Sequence, residues 1–269
     1  MEAWLQHPFV YAGLAPFLAA FVVALALYPL RIDGLAAAAG FFVTAFLIGE
    51  LRLVASTNGK LMLAALAAPA LGLVADFAFR SGRTTAYILG LAFACVALWV
   101  FSSALWPKQA FQLFIAGGGI VLFVAWTVAW TATLHADSVR AGATGLGLGL
   151  GAGITALMAA SAAVGAAVSY LAVGLGAACG GFLMVQTIFN RRVDAGLVFC
   201  LAVGVQGALV AAGALLLGRF GWLELAILAL VPLAVRLPVP PRWPVWAQAA
   251  LASLYALACG GAAVAVRFV

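Results

Sequence analysis

Long apolar runs, each about the length of a membrane-spanning helix, follow one another along almost the whole chain. A helix needs about 20 predominantly apolar residues to cross the hydrocarbon core of a bilayer. Charged residues, prolines and glycines separate ten such segments, which run approximately over 8–30, 34–54, 61–79, 84–105, 111–134, 142–163, 165–187, 195–217, 221–235 and 245–266. The sequence therefore predicts an all-α, polytopic transmembrane helix bundle of about ten spans.

Charge is scarce throughout the chain. Only 7% of the 269 residues are Asp, Glu, Lys or Arg, while 67% are hydrophobic. A soluble domain carries roughly 25% charged residues, so this composition excludes a water-soluble fold, and the high hydrophobicity also excludes disorder. The apolar residues form unbroken runs instead of alternating with polar ones, which argues against an outer-membrane barrel.

The basic residues lie in the short connections between the predicted spans. No connection reaches about 12 residues, so we expect no extramembrane domain. We expect a multi-pass protein of a bacterial inner membrane. Lys and Arg favour the cytoplasmic side, and their distribution predicts that both termini lie outside the cytoplasm. No basic segment precedes the first run, so we expect it to be retained as a span instead of being cleaved as a signal peptide. One side holds Arg31, Arg80, Arg83, Arg140, Arg191, Arg192, Arg236 and Arg242, and the other holds Arg52, Lys60, Lys108, Arg219 and Arg267.

The two halves of the chain, 1–135 and 136–269, share a faint pattern. When they are superposed, the turn at 106–108 falls near the turn at 242–244, and Pro69 falls near Gly204. Five helices make an odd number of crossings, so a second copy would enter the membrane from the opposite side, as in many secondary transporters. The alternative is ten helices without internal symmetry.

Alternating glycines begin the sixth predicted span. At about 100° per residue, they form two opposite ridges, each flat enough for a neighbouring helix to approach closely. We interpret them as packing residues of a central helix, and the alternative is a flexible gating helix. The glycines are Gly145, Gly147, Gly149, Gly151 and Gly153.

Charged residues near the span ends are interpreted as interfacial ion pairs. A charge in hydrocarbon costs several kcal/mol, so a functional role is the alternative for each. No carboxylate lies at a predicted midplane, which argues against a proton pump. The three predicted pairs are Asp76–Arg80, Glu50–Arg52 and Arg219–Glu224.

Uncharged polar groups and helix breakers lie near the middle of several predicted spans. Pro69 and Pro232 interrupt the third and ninth spans, and Gly204 and Gly207 flank Gln206 in the eighth. Such breaks free backbone groups that only protein or a water-filled cavity can satisfy in lipid. We therefore predict a neutral cavity at the midplane, although these side chains would equally serve as hydrogen bonds between helices. The residues that would line the cavity are Gln206, Thr44, Thr127, Ser253 and Tyr255.

Arginines on the predicted cytoplasmic side are candidates for binding lipid headgroups. Arg83, Arg191 and Arg192 lie next to span ends, and guanidinium groups suit phosphate oxygens. The alternative is that these residues only set the topology.

Three functions follow from this pattern. The leading hypothesis is a small transporter or exporter of a neutral or amphipathic small molecule. The second is a non-catalytic subunit that anchors or assembles a membrane complex with other subunits or a second copy of itself. An intramembrane enzyme is third, because the chain has no catalytic, metal-binding or cofactor motif. Its scattered basic residues form no nucleic-acid-binding stripe.

Overall fold

The computed structural model describes residues 7–28, 34–51, 56–78, 82–106, 109–159, 166–190 and 194–268, and all regular structure in these ranges is helical. An all-α bundle, as predicted, is confirmed. Helices α1 to α10 are Val10–Leu27, Leu35–Leu47, Thr57–Ala78, Arg83–Val100, Ala110–Ala132, Ser138–Met158, Ala166–Phe189, Gly196–Leu216, Trp222–Ala234 and Val245–Ala265. The first turn of α1, Val10–Leu14, has π-helical geometry, and a short turn, Ser102–Leu105, follows α4.

Eight of these helices, counted over the described ranges, are long and apolar enough to cross a membrane. The two shorter ones are α2 and α9. A helix of 13 residues, the length of α2, rises about 20 Å, which is less than the hydrocarbon thickness of about 30 Å. The chain is a multi-pass membrane protein, and the ten predicted spans correspond to eight long helices and two short ones.

Helix α2 ends earlier than the predicted limit at residue 54. Gly49 has φ +73°, a conformation that glycine adopts without the steric cost a Cβ would bring. Its amide donates to the carbonyl of Phe46, and the amide of Glu50 donates to that of Ala45. This is the Schellman arrangement that ends a helix.

Helix α8 forms the centre of the bundle. Every residue from Leu197 to Ala214 is buried, and α2, α3, α5, α6 and α7 surround it. A helix that is apolar on all sides is stable only where every face has a partner. The sequence of α8 therefore fits a central position, where the neighbouring helices of the described part of the chain cover every face.

The outer helices α1, α4 and α10 expose most of their length. Large apolar side chains cover the outside of the bundle, including Phe114, which is 79% exposed, and Trp106, which is 86% exposed. Such a surface would cause aggregation in water, whereas lipid solvates it. The exposed face is therefore the membrane-facing surface of the protein.

Candidate functional site

Gln206 lies at the middle of the central helix and is fully buried. Its Nε2 donates a hydrogen bond of 3.2 Å to the carbonyl oxygen of Ala65 in α3. Ala65 precedes Pro69 by four residues, and proline has no amide hydrogen to donate to the carbonyl at that spacing. The side chain of Gln206 therefore satisfies the carbonyl that Pro69 leaves without its usual partner.

The other end of the Gln206 amide has no partner among the described residues. Oε1 is buried without a hydrogen bond, and the bond to Ala65 fixes which end of the amide is the acceptor. An unpaired buried acceptor costs about 1–3 kcal/mol. The centre of the bundle thus presents one hydrogen-bond acceptor at the α3–α8 interface.

The glycines beside Gln206 bring other helices close to α8. At Gly204, a Cβ would lie 3.3 Å from the Cα of Val128 in α5. At Gly207, a Cβ would lie 3.5 Å from Leu148 in α6 and from Leu175 in α7. Gly204, Gln206 and Gly207 thus face three different sets of neighbours.

The remaining polar candidates lie at other helix interfaces. Thr44 is buried, donates to the carbonyl of Gly40 in its own helix and packs against Gly174 in α7. Thr127 is buried in α5, and its Oγ1 has no partner among the described residues. The five candidates therefore do not share one network of hydrogen bonds.

Two further candidates belong to α10. Ser253 is half-buried, and the hydroxyl of Tyr255 donates to the carbonyl of Pro238, 3.4 Å away. Tyr255 thus contacts the connection that precedes its own helix, while Gln206 contacts α3.

The break in α9 lies just before Pro232. Trp222–Leu228 and Val231–Ala234 are separate helical pieces, with Pro232 in the first turn of the second, where its missing amide hydrogen costs nothing. Neighbouring helices satisfy carbonyls near the break, because Trp126 Nε1 donates to Ala229 at 3.0 Å and Cys259 Sγ to Ile227 at 3.2 Å. As at Pro69, side chains from neighbouring helices bond backbone carbonyls close to the proline.

The alternating glycines of α6 contact a different helix on each ridge. At Gly149, a Cβ would lie 2.7 Å from the carbonyl oxygen of Ala172 in α7, and Gly145 and Gly153 also face α7. At Gly147, it would lie 2.7 Å from the Cβ of Ala256 in α10, and Gly151 also faces α10. Any larger side chain would push these backbones apart.

Asp76 binds the amino-terminal end of α8. Its Oδ1 accepts from the amide of Leu197 at 2.8 Å, and its Oδ2 accepts from the amide of Val198 at 3.0 Å. Gly196, with φ +69°, lies against the same carboxylate. The predicted partner of Asp76, Arg80, lies outside the described residues. Asp76 therefore caps the central helix from α3 and meets the positive end of its dipole.

Glu224 lies at the opposite end of the bundle and is 8% exposed. Its Oε1 is 4.0 Å from Nη1 of Arg267. The predicted partner Arg219 is also buried, and its Nη1 donates to the carbonyl of Ala156 at the end of α6. Nη1 of Arg267 donates to the carbonyl of Arg219 at 2.7 Å. Arg219 and Arg267 thus both bond to backbone carbonyls near Glu224.

Glu50 accepts a hydrogen bond of 2.7 Å from Nδ2 of Asn58 at the start of α3. Its predicted partner Arg52 lies outside the described residues. Nearby, Lys60 Nζ donates to Ser102 Oγ at 3.0 Å and lies 5.4 Å from the ring centroid of Trp99. Lys60 therefore holds the end of α4 against α3.

Arg236, in the connection after α9, was not among the predicted site residues. Its Nη2 donates to the carbonyl of Trp130 at 3.3 Å and contacts Thr133 Oγ1, and its guanidinium lies 4.7 Å from the Trp130 ring centroid. Burial, followed by the charges of Arg140 and Arg83, lowers the pKa of Arg236. Arg83 is exposed at the start of α4, while Arg191 and Arg192 lie outside the described residues.

A small recess lies beside Arg140, between the start of α6 and α10. Gln248 lines it with its side chain 3% exposed. Nε2 of Gln248 donates to the carbonyls of Trp243 and Pro241, and its Oε1 is buried without a partner among the described residues. The signal for this site in the sequence is weak, a glutamine one turn inside an apolar helix.

The described residues contain no group of three His, Cys, Asp or Glu side chains that could hold a metal ion. No protein-family model matches the chain, and no curated protein sequence matches it.

Proposed function

We propose that this multi-pass membrane protein is a secondary transporter or exporter of a neutral or amphipathic small molecule, with the substrate path along the α3–α8 interface. The observation that carries the proposal is the buried Oε1 of Gln206, an acceptor without a partner among the described residues, beside Pro69, which lies inside the continuous helix α3. A proline or glycine inside a hydrophobic span often marks the substrate site of a transporter.

The packing of the two halves supports an inverted repeat. In a 5+5 arrangement α3 corresponds to α8, and α2 corresponds to α7. Both pairs are in direct contact, as expected for equivalent helices beside a pseudo-twofold axis. The outer contacts differ, because α1 packs on α7 while its counterpart α6 packs mainly on α7 and α10.

The charges of the described bundle favour an uncharged substrate. Asp76 is engaged by the end of α8, and Glu224 is engaged near Arg267. The polar group at the centre of the bundle is the side-chain carbonyl of Gln206, which does not titrate. A substrate that carries a hydroxyl or N–H donor would complete the hydrogen bonding of Gln206.

A non-catalytic scaffold or assembly subunit is the second candidate. The close contact of α6 with α7 and α10, where a Cβ at Gly147 or Gly149 would overlap a neighbouring helix, favours a rigid body. In this case the protein would co-purify with a partner membrane protein from its native host, and extracellular metabolites would not depend on Gln206. We assign no catalytic activity to either candidate.

The test is a comparison of extracellular metabolites between bacteria that express the protein and bacteria with an empty vector. We expect expression to raise one or a few neutral compounds in the medium, and Q206A to abolish the rise at an equal amount of folded protein. Q112A is the matched control, because Gln112 is exposed on α5. An unchanged profile with wild-type protein, or an equal rise with Q206A, would remove the transport proposal.

A further inference from the structure

Three arginines from separate parts of the chain lie together at the end of the bundle that holds the α5–α6 connection. Arg236 is held there by Trp130, in the last turn of α5, and by Thr133, the residue that follows the helix. Its side chain is half-buried and stacked on the Trp130 ring. The guanidinium is thus fixed in position before any ligand binds.

Arg140 lies on the first turn of α6, after the same connection. Its Nε is 3.5 Å from Oδ2 of Asp137, and its amide donates to Oδ1 of that residue at 3.1 Å. Arg140 therefore follows the Trp130–Thr133 segment that Arg236 binds and lies at the same end of the bundle.

Arg83 reaches this end from α4. Gly90 packs α4 on α5, since a Cβ there would lie 2.6 Å from the carbonyl oxygen of Ala125 and 3.0 Å from Ala129. The two helices are antiparallel neighbours, so Arg83, two turns before Gly90, lies about 10 Å further towards the end of α5. Its position is consistent with the influence of Arg83 and Arg140 on the pKa of Arg236.

The arginine cluster (Arg83, Arg140 and Arg236) is not neutralised by the described protein. Asp137 is the one carboxylate in an ion pair with a member of the cluster within the described ranges, and Asp76, at the same end of the bundle, is engaged by the amides of α8. In addition, Gly82 precedes α4 and provides no side chain to cap its first amides. Both features leave positive potential at this end of the bundle.

We propose that the arginine cluster binds the phosphate of an anionic phospholipid headgroup that carries a hydroxyl group. Guanidinium groups bind phosphate oxygens through paired, charge-assisted hydrogen bonds. The cluster lies at the end of apolar helices, at the depth where headgroups lie. A phosphate diester there would offset the charge that the protein leaves uncompensated.

The recess next to Arg140 supplies the second half of the site. Gln248 is almost fully buried, lines this recess, and has an unpartnered Oε1. An amide oxygen accepts hydrogen bonds only, and the recess has room for a group the size of a hydroxyl. A glycerol headgroup provides both the phosphate for Arg140 and a hydroxyl donor for Gln248.

The experiment titrates the detergent-purified protein with short-chain lipids and follows thermal unfolding by tryptophan fluorescence. We expect short-chain phosphatidylglycerol to raise the melting temperature and phosphatidylcholine of the same chain length to leave it unchanged. Phosphatidylethanol has the same charge without the hydroxyl, so we expect it to bind more weakly. Inorganic phosphate separates a soluble anion from a headgroup, and an equal shift at equal concentration would overturn the lipid assignment.

Three variants locate the site. R83Q and R140Q should each weaken the apparent affinity for phosphatidylglycerol about tenfold, the effect of losing a charge-assisted hydrogen bond. Because Arg83 is exposed, R83Q should not disturb folding. It therefore tests lipid binding by the cluster even where variants of Arg236 fail to fold. R242Q removes an exposed arginine from the same connection as Arg236 and should leave the affinity unchanged. An equal loss with R242Q would show diffuse attraction and overturn the site.

Discussion

Gln206 of α8 provides the hydrogen bond that Pro69 withdraws from α3. The proline leaves the carbonyl of Ala65 without an intrahelical donor, and Nε2 of Gln206 reaches this oxygen from the neighbouring helix at 3.2 Å. With Nε2 bonded to Ala65, the amide oxygen is left as a buried acceptor without a partner among the described residues. The proline in one helix and the polar residue in the other are therefore parts of one arrangement.

This relationship predicts coupling between the two positions. In the wild type, Q206L leaves the Ala65 carbonyl unpaired and should lower the stability of the protein. In a P69A background the new amide hydrogen can pair with Ala65 inside α3, so the same substitution should cost less. We expect a coupling free energy of about 1 kcal/mol, typical of interhelical hydrogen bonds in membranes. Unfolding of the four proteins in detergent micelles measures it, and additive effects would contradict the pairing.

The contact of Asp76 with the amides of Leu197 and Val198 predicts a loss of stability in D76A. Two charge-assisted hydrogen bonds to the end of the central helix are removed, at a cost of about 2 kcal/mol. D76N keeps one acceptor oxygen and should lose about half as much. Asp194 is exposed near the same helix end, so D194A is the matched control. Equal unfolding free energies for D76A and D194A would exclude the capping role.

The glycines of α6 predict a sharp difference between positions. In G149A the new Cβ would lie 2.7 Å from the Ala172 carbonyl oxygen, and overpacking of this kind typically costs 1–3 kcal/mol. G118A in α5 adds a methyl group where no neighbouring side chain or helix among the described residues comes within 4 Å. We expect G149A alone to lower the melting temperature and the yield of monodisperse protein. Equal behaviour of the two variants in size-exclusion chromatography and thermal unfolding would contradict close α6–α7 contact.

The distribution of basic residues predicts the orientation of the chain. An epitope tag after Val269 should react with an antibody or impermeant reagent added outside intact spheroplasts. A tag inserted after Leu237, which is exposed in the α9–α10 connection, should react only after the membrane is permeabilised. The opposite result would reverse the orientation and would place the arginine cluster on the outer leaflet.

Much of the helical framework could be predicted from the sequence, because apolar runs bounded by charge are set by bilayer thickness. The exceptions were local and had identifiable causes. Gly49 ends α2 before the apolar run ends, and the break in α9 lies before Pro232. Gly49 was visible in the sequence near the end of an apolar segment. The apolar pattern continues past it, and for this reason the predicted span was extended to residue 54.

The partners of the polar residues could not be predicted in the same way. Asp76 bonds to amides more than a hundred positions later in the chain, and Glu224 is paired with Arg267. Local spacing cannot anticipate such contacts, because helix geometry relates i to i+4 but carries no information on which helices are neighbours. Arg236 was overlooked for this reason, because its partners Trp130 and Thr133 lie more than a hundred positions earlier in the chain.

The burial of α8 has a consequence for how the protein is made. Five helices surround it, and all five precede it in the chain. These helices enter the membrane while the carbonyl of Ala65 and the carboxylate of Asp76 still await the groups that α8 will bring. The bundle is therefore complete only after its central helix has been synthesised. A ribosome stalled before residue 216 would leave the surrounding helices without that centre, as a target for quality-control proteases.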